Sequence, residues 1–321
     1  MPVFRNPLKQ LAFVTENPAR NSPVSDELSS AWSDPESQAT YREEALGILA
    51  SYQPRGPKDD TAAILRIFLE RLPQEGQMAL VSDIKISIDH SELHTLRNHL
   101  VDAILKPMKL AGGKQPDPIT QPSNPAAVEQ IDLSMIELDP AQREQGRIKE
   151  GCLRRDGYRC LVTGSYDLRS LRERRIVPPT GASRAITQCA HILPFGLSSF
   201  DEADAVATKN KAIIWYALHR YFPALRGKMD TDSVNQYGNL MTLESNAHFA
   251  LGDFSLAFRP MDKDNVYKVC AFDLLPSSIQ DGQLVEFVAH DRFPLPDRDI
   301  LKVHCRIAEI LSDAELIGAK I

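Results

Sequence analysis

The chain has 321 residues, room for one large domain or two ordinary ones, with 43% hydrophobic and 25% charged residues, an ordinary globular balance. Its net charge of −6 argues against a protein that coats nucleic acid over its whole surface. There is no apolar run long enough to span a membrane, no secretion-signal core in "MPVFRNPLKQLAFVTENPAR", and only five cysteines; the expectation is an intracellular chain, nuclear or cytoplasmic, with reduced thiols.

Residues 1–40 are rich in Pro, Ser, Asn and acids without sustained periodicity, and read as a poorly ordered N-terminal segment. Residues 41–110 read as an α-helical region. "DTAAILRIFLERLP" spaces Ile64, Leu65, Phe68, Leu69 and Leu72 helically, with Asp60 as a cap and Pro73 as a stop. "DHSELHTLRNHLVDAILKP" repeats the scheme, with Asp89 and Glu92 as a capping box and Pro107 as the end. His90 and His94 are four apart, the spacing of a metal pair, but without a Cys or acidic partner they read as exposed helix histidines.

Residues 111–137 are rich in Pro and Gly and read as a linker, leaving 138–321 as a second domain. There, "DPAQREQGRIKEGCLRRDG" reads as a charged helix closed by Asp156 and Gly157. "YRCLVTG" reads as a short strand into a turn, and "LRSLRERRIVPPTGASR" as a basic hairpin-like loop. "QCAHILPF" is a strand that places His191 at its end, before Pro194. A helix around Ala212–Phe222 follows, stopped by Pro223. "SLAFRP", "NVYKVCAFDL" and "QLVEFVAHD" alternate as strands, and an amphipathic helix carrying Ile300, Val303, Ile307 and Ile310 closes the chain. Short strands between helices, without a βαβ rhythm, make the class α+β.

Charge is unevenly spread. Between Arg143 and Arg184 there are eleven basic and five acidic residues, an island that suits a local phosphate-binding face. Paired charges on a solvated helix and loop are the blander reading.

Three residues line up further on. His191 ends its strand. Asn239 follows Gly238, which frees the backbone to turn before an apolar run, and His248 comes nine positions later on a short helix. With "DGYRCLVTG", "CAHILPF", "GNLMTLESNAH" and "GDFSLAFRP", this order resembles the His-Asn-His (HNH) endonucleases, most of all the group common in fungal proteins, over roughly residues 143–272. The resemblance implies a ββα-metal core with an inserted helix and flanking strands. It implies hydrolysis of phosphodiester bonds, in DNA, with a divalent metal, Mg²⁺ ahead of Mn²⁺ or Zn²⁺.

Carried onto this chain, the family roles make His191 the general base and His248 a metal ligand. Asn239 orients the loop facing the base. Arg154, Arg155, Arg174 and Arg175 are the expected phosphate contacts. The chain departs from the pattern at Ala190, where many members carry an acidic ligand. Asp253, then Asp201, are the substitute carboxylates. Alternatively His191 is itself a ligand, or the fold persists as a catalytically inactive module that binds nucleic acid or protein. Cys160 has Thr163 where a zinc-binding Cys-x-x-Cys would need its second cysteine, so Cys152, Cys160 and Cys189 read as packed thiols. Trp32 and Trp215 are too isolated for a base-stacking platform, and Trp215 reads as core.

Overall fold

The computed structural model describes residues 34–87, 89–113, 140–194, 197, 205–230, 233–319 and 321; side chains of 110–113, 140–145 and 205–209 are left aside. The expected disorder of residues 1–33, most of the linker, Phe195 and Asp201 lie outside these residues. Two compact units are present. The first comprises 1–104, 200–223 and 314–321, the second 105–199 and 224–313.

The first unit is helical: α1 (Pro35–Ser51), α2 (Thr61–Arg71), α3 (Gln74–Ile86), α4 (His90–Leu100) and α8 (Ala205–Tyr221). Residues 35–40, expected to be disordered, are helical because Asp34 caps α1 by accepting from the amides of Glu36 and Ser37. Asp89 caps α4 as expected. Asp60 is the N-cap residue of α2, as expected, but its carboxylate makes no capping bond; it takes Nε and Nη2 of Arg97, each at 2.7 Å. The apolar stripes of α2 and α3 are buried, with Ile64, Leu65, Phe68, Leu69, Leu80 and Ile84 fully enclosed. Each such side chain contributes about 1.5–3 kcal/mol.

The chain does not stop at Pro107. A π turn, Val101–Leu105, leads into α5 (Lys106–Gly113), where Pro107 sits in the first turn and needs no helical N–H partner. His90 and His94 serve neighbouring elements. His94 Nδ1 bonds Thr61 Oγ1 at 2.9 Å, and His90 Nδ1 accepts the Gln53 amide at 3.3 Å.

The helix that the sequence places inside the second domain clusters with the first unit. α8 packs on α3, where Tyr221 Oη donates to Asp83 Oδ2 at 2.8 Å. Gly76 permits this approach: a Cβ there would lie 2.0 Å from the Tyr221 carbonyl oxygen.

The second unit holds α5, α6 (Pro140–Arg155), β1 (Tyr166–Asp167), α7 (Leu168–Arg172), β2 (Arg184–Ala185) and β3 (Thr187–His191), then β4 (Leu240–Glu244) and α9 (Ser245–Gly252). β5 (Leu256–Pro260), β6 (Val266–Ala271) and β7 (Leu284–Glu286) follow, then α10 (Arg298–Leu316), whose last residues belong to the first unit. The basic "hairpin" begins as the short helix α7, because Asp167 caps it by accepting both the amide and the hydroxyl of Ser170.

β3 and β4 pair antiparallel from Thr187↔Glu244 to His191↔Leu240, and β5–β6–β7 form an antiparallel sheet. α9 follows β4 directly and packs on β3, β4 and β5. The result is an α+β unit around a β3–β4–α9 motif. Among the described residues, no helix is long and apolar enough to cross a membrane.

Candidate active site

β3 runs into Ile192–Pro194 while the opposing strand is entered through a single 3-10 turn, Tyr237–Asn239. Gly238 was expected to provide a sharp turn, but it is not among the glycines with left-handed φ; the 3-10 geometry does the turning. Asn239 has no exposed surface. Its Oδ1 accepts the Leu193 amide at 2.8 Å, and its Nδ2 donates to the carbonyls of Leu193 and Val234, both at 2.9 Å. The Asn239 carbonyl accepts the Ile192 amide at 2.8 Å. One buried amide thus closes the segment following His191 onto the turn that precedes β4.

His191 is half-buried at the end of β3, with Nε2 2.9 Å from Asn235 Oδ1. An amide oxygen only accepts, so Nε2 carries the hydrogen and Nδ1 is the basic nitrogen. Burial holds the His191 imidazole below its ordinary pKa, opposed by the Asn235 bond. Sequence reasoning missed Asn235, because an asparagine four residues before Asn239 carries no signal that it will face β3.

His248 lies on α9. Burial lowers its pKa, and the charge of the nearby His191 lowers it further. α9 packs on β3 and β4, so both histidines belong to the β3–β4–α9 motif. Asp253 does not join them. It is exposed at the C-cap of α9, where Oδ1 accepts the amide of Ser255 at 2.9 Å and its hydroxyl at 2.5 Å. Ala190 is buried. Among the described residues, no group of three or more His, Cys, Asp or Glu side chains is arranged to hold a metal ion. Two imidazoles without a carboxylate do not fit Mg²⁺, which takes oxygen ligands. His248 and Asp253, expected as a metal pair, therefore belong to no such group among the described residues.

The arginines divide. Arg154 and Arg174 are exposed on the surface of the unit, Arg154 pairing with Asp291 at 2.6 Å. Arg175 bridges Glu150 and Glu173, so part of the island's charge is internally neutralised. Arg155 is fully buried and bound to Asp156, so it cannot meet a phosphate; the expectation that it binds substrate is overturned. Cys152 and Cys160 are buried, and Cys189 Sγ lies 3.6 Å from Cys152 Sγ.

This ββα arrangement sets a histidine at the strand end and an asparagine clamp opposite it. The family model described as HNH endonuclease matches residues 160–259, from before β1 into β5. The match covers well under half of the chain, and of the helical unit's described helices it takes in α8 alone. No curated protein and no solved structure matches. A domain of this family is associated with nuclease action or nucleic-acid binding, and such nucleases generally use a divalent metal.

Proposed function

We propose that the second unit is an HNH-type endonuclease that hydrolyses phosphodiester bonds in DNA, with His191 as general base. The observation that carries this reading is the anchored imidazole. Asn235 holds Nε2 as the donor, burial keeps the ring neutral near pH 7, and Nδ1 is the nitrogen that takes the proton from water. Asn239 maintains the loop beside it without touching substrate. Arg154 and Arg174 lie on the exposed part of the basic island and serve as phosphate contacts.

The family's divalent ion would meet His248 as a nitrogen donor and no described carboxylate, so no step is routed through it. The test is plasmid nicking by the wild type and by His191→Ala, with Mg²⁺, Mn²⁺ and Zn²⁺ in separate arms and an RNA substrate in parallel. Cutting by the wild type alone supports the reading. Equal cutting by both proteins, or none with any ion, overturns it.

A second reading is favoured by Ala190 and the missing carboxylate: an HNH fold that binds nucleic acid without cleaving it. Salt-dependent binding of a DNA duplex that stays intact in all three arms selects this reading.

A further inference from the structure

Arg155 and Arg154 are adjacent in the basic island, yet only Arg154 faces solvent. A guanidinium has five N–H donors, and those of Arg155 meet five acceptors. Nε and Nη2 bind the Asp156 carboxylate at 2.6 and 2.9 Å. Nη2 also donates to the Leu240 carbonyl at 2.8 Å, and Nη1 to the carbonyls of Tyr237 at 2.9 Å and Pro294 at 3.0 Å. Asp156 in turn accepts the Thr242 amide through Oδ2 at 2.9 Å.

Tyr237 and Leu240 are the first residue of the 3-10 turn and the first residue of β4, and Asn239 stands between them. α6 also closes on this turn at Gly151, where a Cβ would lie 2.2 Å from Tyr237 Oη. A buried ion pair is a weak source of net stability, so the satisfied fork points to geometry as its contribution.

We infer that Arg155, held by Asp156, is a positioning residue for the His191 centre. It grips the backbone on both sides of Asn239, and Asn239 carries that register to Ile192 and Leu193 beside the base. The inference rests on the reading of His191 as the base, but its structural half has its own readout. Lysine has three donors and no planar fork, so it cannot reproduce the set of contacts.

The experiment compares full-length wild type, Arg155→Lys, Asp156→Asn and the core control Leu301→Ala, by residue-resolved amide hydrogen exchange and by plasmid nicking. In Arg155→Lys, the amides of Ile192 and Leu193 should exchange about tenfold faster, while Val269 in the β5–β7 sheet keeps its wild-type rate. Asp156→Asn should give the same pattern more weakly, and Leu301→Ala should not single out Ile192 and Leu193. If the wild type cuts DNA, kcat should fall about tenfold or more in Arg155→Lys, with KM unchanged. Uniform acceleration, unchanged exchange at Ile192 and Leu193, or failure of both Arg155→Lys and Asp156→Asn to fold overturns the inference. If the wild type does not cut, the endonuclease reading fails, and the exchange pattern still decides whether Arg155 sets this loop.

Discussion

Asn239 holds Leu193 by both ends of its peptide group, accepting its N–H at 2.8 Å and donating to its carbonyl at 2.9 Å. An amide is the side chain that can do both at one site. Asn239→Asp loses the donor half, and Asn239→Ala loses both. Asn239→Ala leaves the Leu193 amide and the Leu193 and Val234 carbonyls buried without this partner, at a cost of about 3 kcal/mol. Urea unfolding should show both variants destabilised, Asn239→Ala by that amount, and nicking should fall with them. Wild-type stability in Asn239→Ala would remove the clamp from the account.

The pH dependence of cleavage follows from His191. A general base works in its neutral form, and burial holds this imidazole below its ordinary 6.5. The acid limb of the rate should therefore lie below pH 6.5, with activity lost as pH falls through the depressed value. Asn235→Ala removes the bond that opposes the depression and anchors Nε2. It should move the limb still lower while slowing the plateau about tenfold. Rate measurements from pH 5 to 8 on both proteins check this.

A second histidine governs acid stability. His304 is completely buried, stacks on Phe254, and binds the Leu251 carbonyl through Nε2 at 3.0 Å. Burial lowers its pKa from 6.5 to about 4. The unfolded chain takes up a proton at higher pH than the folded one. The stabilisation is therefore complete above 6.5 and drains away as pH falls toward 4, by about 3 kcal/mol. Denaturant titrations of the wild type should show this loss, and His304→Gln should flatten it while lowering stability at neutral pH.

The divided arginines make opposite predictions. Arg174→Ala removes exposed charge, and it should leave thermal stability nearly unchanged while reducing the salt dependence of DNA binding by about one counterion. Arg154→Ala and Arg175→Ala should do less, because Asp291 pairs with the first and Glu150 and Glu173 with the second. Arg155→Ala should chiefly cost stability, about 3–5 kcal/mol, by leaving the Asp156 carboxylate buried without its partner. Filter binding over a salt series, with melting curves, separates the two classes.

What the sequence by itself determined was local. Alternation defined β5 to β7, apolar spacing defined α2, α4 and α10, and the order of His191, Asn239 and His248 within their contexts pointed to the HNH family whose model matches residues 160–259. These signals are carried by neighbours in the chain, which a linear reading can weigh. Only the tertiary structure decided which charges are surface and which are scaffold, because burial depends on what other segments bring. Arg154 and Arg155 look alike in sequence until Tyr237, Leu240 and Pro294 close over one of them. Asn235 gains its role from a strand 44 residues away, and Asp253 accepts both the amide and the hydroxyl of Ser255 beside it. The helix 205–221 follows β3 in the chain, yet Asp83 and Gly76 draw it into the helical unit, where Trp215, Ala217, Leu218 and Tyr221 are buried.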